Sequence, residues 1–141
     1  MKSINPYLNF PGNTEEAFNF YKSVFGGEFY MVMRMKDTPQ QKQIPIELEN
    51  KIMHISLPIS TGQILMGTDA LEEFGQNFSK GNNFSICIAS SSENEGKELF
   101  DKLSIDGQIQ ILFSTQFWGD MFGQFVDKFG VQWMISYHEE N

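Results

Sequence analysis

The chain has 141 residues, a formal charge of −8 and a pI near 4.6, and 40% of its side chains are apolar, with 14 Phe, 8 Met and a single cysteine. That length suits one compact domain whose core needs no disulfide, and one cysteine excludes an intrachain bridge. Negative charge opposes a nonspecific grip on nucleic-acid phosphates or anionic lipid, and no apolar run has the length of a membrane span or signal-peptide core, so the expected partner is a small molecule and the expected location the cytoplasm.

Residues 5–10 alternate and predict a first strand, with Leu8 and Phe10 facing a helix layer and Asn5, Tyr7 and Asn9 facing the other way. Pro11-Gly12 ends it. A helix follows, opened by a capping-box pattern of Asn13 and Glu16 and stopped at Phe25 by Gly26-Gly27. Residues 29–35 predict a second strand, and the polar stretch 36–50, with prolines at 39 and 45, a long loop. Residues 51–59 alternate again. Met53, Ile55, Leu57 and Ile59 are expected on one face, and Ile52, His54, Ser56 and Pro58 on the other. After a turn at Thr61-Gly62 comes a short strand over 63–67, then a connector over 68–82.

The second half repeats the order. A strand over 84–89 puts Phe84, Ile86 and Ile88 on the helix side and Ser85, Cys87 and Ala89 opposite; a helix over 93–103 opens with Ser92 and Glu95; strands over 108–114, 122–128 and 131–137 follow, the last two joined at Phe129-Gly130. The two helices align at a constant offset: 92−13, 95−16, 99−20, 100−21 and 103−24 all equal 79. The sequence therefore predicts an α+β fold of two βαβββ repeats, about 1–67 and 83–138, within a single domain spanning 1–141. One helix does not cover a four-stranded sheet, so the repeats are expected to pair as a curved mixed sheet around a cavity.

Several phrases, Ile4-Asn-Pro-Tyr-Leu-Asn-Phe10, Ala17-Phe-Asn-Phe-Tyr-Lys22, Lys51-Ile-Met-His54, Ile64-Leu-Met-Gly67, Phe117-Trp-Gly-Asp-Met-Phe-Gly123 and Asp127-Lys-Phe-Gly-Val-Gln-Trp-Met134, resemble the PhnB-like branch of the vicinal oxygen chelate superfamily, the glyoxalase, bleomycin-resistance and dioxygenase proteins. The resemblance implies a homodimer. It also implies where a metal would sit, because metal enzymes of the superfamily place His or Glu at the start of the first strand and near the middle of the last strand of each repeat. Carried over by strand phase, those positions are Asn5, Met66, Ser85 and Met134, with 66−62 and 134−130 both equal to 4 after the turn glycines. None is a usual ligand for a divalent ion, so no metal and no cofactor is expected. Members of this branch also carry a demethylubiquinone methyltransferase label, which no glycine-rich strand-turn-helix in this sequence supports.

His54 is the one histidine inside a predicted strand and is the candidate general base or substrate-orienting group. A half-buried histidine bonded to a carbonyl is the structural alternative. Trp118 and Asp120 sit in a loop, where they offer a flat wall and a hydrogen-bond acceptor or else plug and cap the turn. Trp133 is expected in the core, His138 in a solvated acidic tail, and Cys87, with no basic neighbour, as an inert thiol. Arg34, the sole arginine, faces inward as an anion anchor or outward as an edge charge. Together these assign a pocket lined by Asn5, Tyr7, His54, Met66, Ser85, Trp118, Asp120 and Met134, binding an apolar or aromatic metabolite or drug without a metal. The alternatives are a metal-dependent lyase, isomerase or dioxygenase using His54, and a structural protein whose cavity is filled by its own side chains.

Overall fold

The structure, a computed structural model, describes residues 1–39 and 44–139. The chain divides into two compact units, Met1–Ser79 and Lys80–Asn141, with the division inside the predicted connector. Each unit is one helix packed on a four-stranded mixed sheet, and both sheets have the same strand order: β1-β4-β3-β2 in the first and β5-β8-β7-β6 in the second. In each, the first strand pairs in parallel with the last and the remaining pairs are antiparallel. The repeat read from two helix starts therefore extends to the whole topology.

In the first unit β1 is Tyr7–Phe10, α1 Thr14–Phe25, β2 Met31–Arg34, β3 Ile52–Ser60 and β4 Gln63–Asp69. Leu8 and Phe10 of β1, Ile55 and Leu57 of β3 and Leu65 of β4 are buried on the α1 side, meeting Ala17, Phe18 and Tyr21 of the helix. Phe18 lies directly over Gly67, where an added Cβ would come within 2.6 Å of its ring. The strand is continuous through Asp69, so the predicted fourth strand ends two residues too early and the connector begins later than expected.

Two local expectations fail here for identifiable reasons. Asn13 occupies the cap position of α1 but its side chain makes no capping bond; Asp69 takes over, its Oδ1 accepting from Thr14 N at 3.0 Å while Oδ2 accepts from Ile52 N at 2.7 Å. A buried carboxylate thus ties α1, β3 and β4 together, favoured by the positive end of the helix dipole. Strict alternation in β3 also breaks: Met33 pairs with His54 but Arg34 with Ile52, leaving Met53 as a bulge. Ile52 consequently turns into the core and Met53 is 44% exposed, the reverse of the predicted phase, whereas His54 and Ser56 keep theirs. The Thr68 hydroxyl donates to the Met53 carbonyl at 2.8 Å and so holds the bulge in place.

Arg34 is settled as a structural cation. Its Nη2 meets Glu15 Oε2 at 2.6 Å, its Nη1 meets Glu15 Oε1 at 3.0 Å, and Nη1 also donates to Asn50 O at 2.8 Å. This fork pins the first turn of α1 to the end of β2 and holds the Glu15 carboxyl below the usual glutamate range. The strand predicted over 29–35 is shorter, ending at Arg34, and a 3-10 turn over Met35–Asp37 leads into the predicted 36–50 loop, which holds a second at Ile46–Leu48; residues 40–43 within it lie outside the described residues.

In the second unit β5 is Ile86–Ala89, α2 Glu93–Leu103, β6 Gln108–Thr115, β7 Met121–Val126 and β8 Gln132–Tyr137. Here the predicted cap forms, Ser92 Oγ accepting from Glu95 N at 3.0 Å, although the Glu95 carboxylate reaches Ser91 N instead of Ser92. Gly96, Phe100 and Leu103 are the buried stripe of α2. Trp133 is fully buried as expected, and its Nε1 donates to Asp127 Oδ2 at 2.8 Å while Asp127 Oδ1 accepts from Phe129 N and Val131 N, closing the β7–β8 turn.

Gly123 in β7 lies beneath α2. A Cβ there would meet Phe100 ring carbons at 2.6 and 2.8 Å and the Phe113 backbone Cα at 3.0 Å. The ring can rotate but the backbone cannot, so Gly123→Ala is expected to destabilise the protein by about 1–3 kcal/mol in urea unfolding. An unchanged midpoint would mean that α2 packs more loosely than these distances imply.

Candidate functional site

The sheet of the first unit has one face covered by α1 and one turned away from it. Register places Tyr7, Met66, Ser56 and Met31 side by side across the four strands of the uncovered face. His54 and Met33 pair in the next row, as do Asn9 and Thr68. The alternation of β1 and β4 puts Tyr7 and Met66 there, and the Met53 bulge leaves His54 and Ser56 in phase with them.

Tyr7 Oη lies 2.9 Å from His54 Nδ1, with ring centroids 5.5 Å apart. The phenol occupies Nδ1, so Nε2 is the imidazole position left for a ligand: a donor when Tyr7 donates to the ring, an acceptor when Tyr7 accepts from it. Partial burial pushes the Tyr7 phenol above the usual tyrosine value, against the smaller lowering effect of a hydrogen bond with Thr68. Around this pair stand the thioethers of Met31, Met33 and Met66, soft and readily repacked. Tyr7 is 44% and Met31 41% exposed, so the face retains apolar surface to offer.

The remaining predicted site residues are distributed differently. Asn5 precedes β1, and its side-chain oxygen accepts from Ile64 N at 3.0 Å, extending the β1–β4 pairing. Ser85 likewise precedes β5, so both predicted strand starts are two residues early. Met134 pairs with Cys87 and with Gln124, whose amide donates to Gln110 Oε1 at 2.7 Å. The registers of the two parallel pairs correspond, Tyr7 beside Met66 in the first unit and Cys87 beside Met134 in the second. Trp118, 51% exposed, packs edge-on to Phe117 and Phe122. The Asp120 carboxylate lies 2.5 Å from His138 Nδ1, so that histidine is not merely solvated, and the side chain meets the C-terminal segment, a partner that neither the turn-cap nor the ligand reading of Asp120 foresees. Of the eight residues, Tyr7, His54 and Met66 share the uncovered face of the first sheet. Thr68 and the Arg34–Glu15 pair were not assigned these roles from sequence, though the phase that placed Met66 would also have placed Thr68.

Among the described residues, clefts are also lined by residues other than those of this face. One, ≈450 Å³, includes Gly12, Lys51, Leu71 and Phe78 of the first unit; another, ≈500 Å³, includes Lys80, Gln108, Lys128 and Gln132 of the second. Among the described residues no three His, Cys, Asp or Glu side chains gather as they would to hold a metal ion.

The family model for 3-demethylubiquinone-9 3-methyltransferase matches residues 2–136. The chain belongs to this PhnB-like family. Protein PA1353 from Pseudomonas aeruginosa is 32% identical to it, with 98% of each chain covered and a TM-score of 0.85. A Bacillus cereus structure described as a putative 3-demethylubiquinone-9 3-methyltransferase, PhnB protein, is 28% identical over 96% of this PhnB-like chain and 99% of its own, with a TM-score of 0.76. A glyoxalase-related enzyme from Fulvimarina pelagi, 16% identical over 98% and 89% of the two chains, shares the fold at a TM-score of 0.65. The glyoxalase and bleomycin-resistance fold expected from the sequence is therefore the one observed.

Proposed function

We infer that this PhnB-like protein binds a small apolar or aromatic molecule on the uncovered face of its first sheet and does so without a metal ion. The observation that carries the reading is the Tyr7–His54 pair at 2.9 Å within a field of methionines: one polar anchor set in deformable apolar surface. The residues at the superfamily's metal positions do not fit a divalent ion. Asn5 spends its amide oxygen on Ile64 N, Met66 and Met134 offer only thioethers, and Ser85 offers a neutral hydroxyl. Nor do the strand-to-helix turns supply the glycine-rich phosphate cradle that a nucleotide-like methyl donor would use, since residues 11–13 hold one glycine and 90–92 are three serines. Among the described residues no helix is long and apolar enough to cross a membrane. The same reading takes the protein as cytoplasmic and, following the family resemblance, as a homodimer.

Thermal melts across a panel of neutral aromatic metabolites and drugs test this, because a ligand that binds only the folded state raises apparent stability. The wild type is expected to shift with at least one compound, and His54→Ala to weaken that compound about tenfold, or ~1.4 kcal/mol. Flat melts throughout would favour a structural role with no ligand.

A further inference from the structure

Ser56 stands between Met31 and Met66 in register, on the same face as His54 and two residues along β3 from it. The residue is 3% exposed, yet its Oγ meets no hydrogen-bond partner. A buried hydroxyl left unpaired is destabilising, and such groups are uncommon enough to require a reason. The neighbouring hydroxyl shows the contrast, since Thr68 Oγ1 is engaged by the Met53 carbonyl. Charge limits what Ser56 serves. Arg34 is held by Glu15 on the α1 side, and the strand residues sharing the face with Ser56 include no lysine or arginine. Among these described strand residues a carboxylate or phosphonate has no lysine or arginine to meet, whereas a neutral hydroxyl can donate to or accept from groups such as Ser56 Oγ and His54 Nε2.

We propose that Ser56 Oγ is a second polar anchor of the site and that, with His54, it selects a neutral hydroxyl-bearing aromatic over the bare hydrocarbon and over the matching carboxylate. This rests on the binding site inferred above and adds the ligand class. Titration calorimetry of wild type and Ser56→Ala with 2-naphthol, naphthalene and 2-naphthoate, alongside thermal melts, tests it. The wild type is expected to bind 2-naphthol about tenfold more tightly than naphthalene, with 2-naphthoate weakest. In Ser56→Ala the preference for 2-naphthol falls to about twofold or less, while the melting midpoint stays at or above that of the wild type, because the unpaired hydroxyl is gone. A preference that survives the substitution, or a midpoint that drops as it would on losing a satisfied hydroxyl, overturns the role of Ser56 while leaving the site standing. A wild type that binds none of the three overturns both.

Discussion

Asp69→Ala is expected to destabilise the protein by about 3–5 kcal/mol, because two backbone donors each lose a charged acceptor worth ~1.5–3 kcal/mol. The carboxylate is 2% exposed and its two oxygens serve Thr14 N at 3.0 Å and Ile52 N at 2.7 Å. Loss of the first leaves an uncapped start to α1, and loss of the second releases the strand end beside the Met53 bulge. Water cannot reach either donor readily in a site this closed. Asp69→Asn keeps one acceptor and is expected to recover at most one of the two bonds. Urea unfolding of the three proteins gives the comparison, and a cost below about 1 kcal/mol for Asp69→Ala would show that the two amides find other partners. Because the bulge sets the phase of His54, this variant is also expected to weaken ligand binding on the uncovered face.

Trp133→Ala carries an expected cost of about 3–5 kcal/mol for emptying a fully packed aromatic site. Trp133 is the largest of the fully buried side chains, and its indole N–H is bonded to Asp127 at 2.8 Å. Trp133→Phe separates the two contributions: it restores most of the volume but removes the indole bond, so a residual loss of about 1–2 kcal/mol is expected. Asp127 would still hold the turn through Phe129 N and Val131 N. Equal losses for Ala and Phe would place the stabilising effect in the Asp127 bond and not in packing.

Periodicity and turn chemistry suffice to read the repeat, both helices and the opposed faces of β1 from sequence, because these depend on neighbours a few residues apart, whereas the phase of Met66 on β4 comes from the family resemblance. The failures involve partners far along the chain. Asn13 has the ideal residue type for a cap, but Asp69, fifty-five residues from the Thr14 amide it accepts from, displaces it, and no local pattern reports that competition. The Met53 bulge inverts Ile52 against perfect alternation, since burial of Ile52 and the bond to Thr68 outweigh the regular pleat. At the site, strand phase brought His54, Tyr7 and Met66 to one face, while the bond between Tyr7 and His54 spans forty-seven residues and appears only in the fold. Alternation places Asn5 and Ser85 inside strands predicted to start at residues 5 and 84, but each strand starts two residues later than that, at Tyr7 in one unit and Ile86 in the other. The apolar strand around Arg34 offers it no local partner and so no direction; Glu15 of α1 decides it.

The most direct measurement is calorimetric binding of a panel hit to tag-free protein before and after exhaustive chelation, repeated with His54→Ala and paired with metal analysis of the purified wild type. Binding that is unchanged by chelation and lost with His54 is the expected result. Binding that disappears on chelation and returns with one equivalent of Zn, Ni, Mn or Fe per chain would contradict metal-free recognition at the Tyr7–His54 pair.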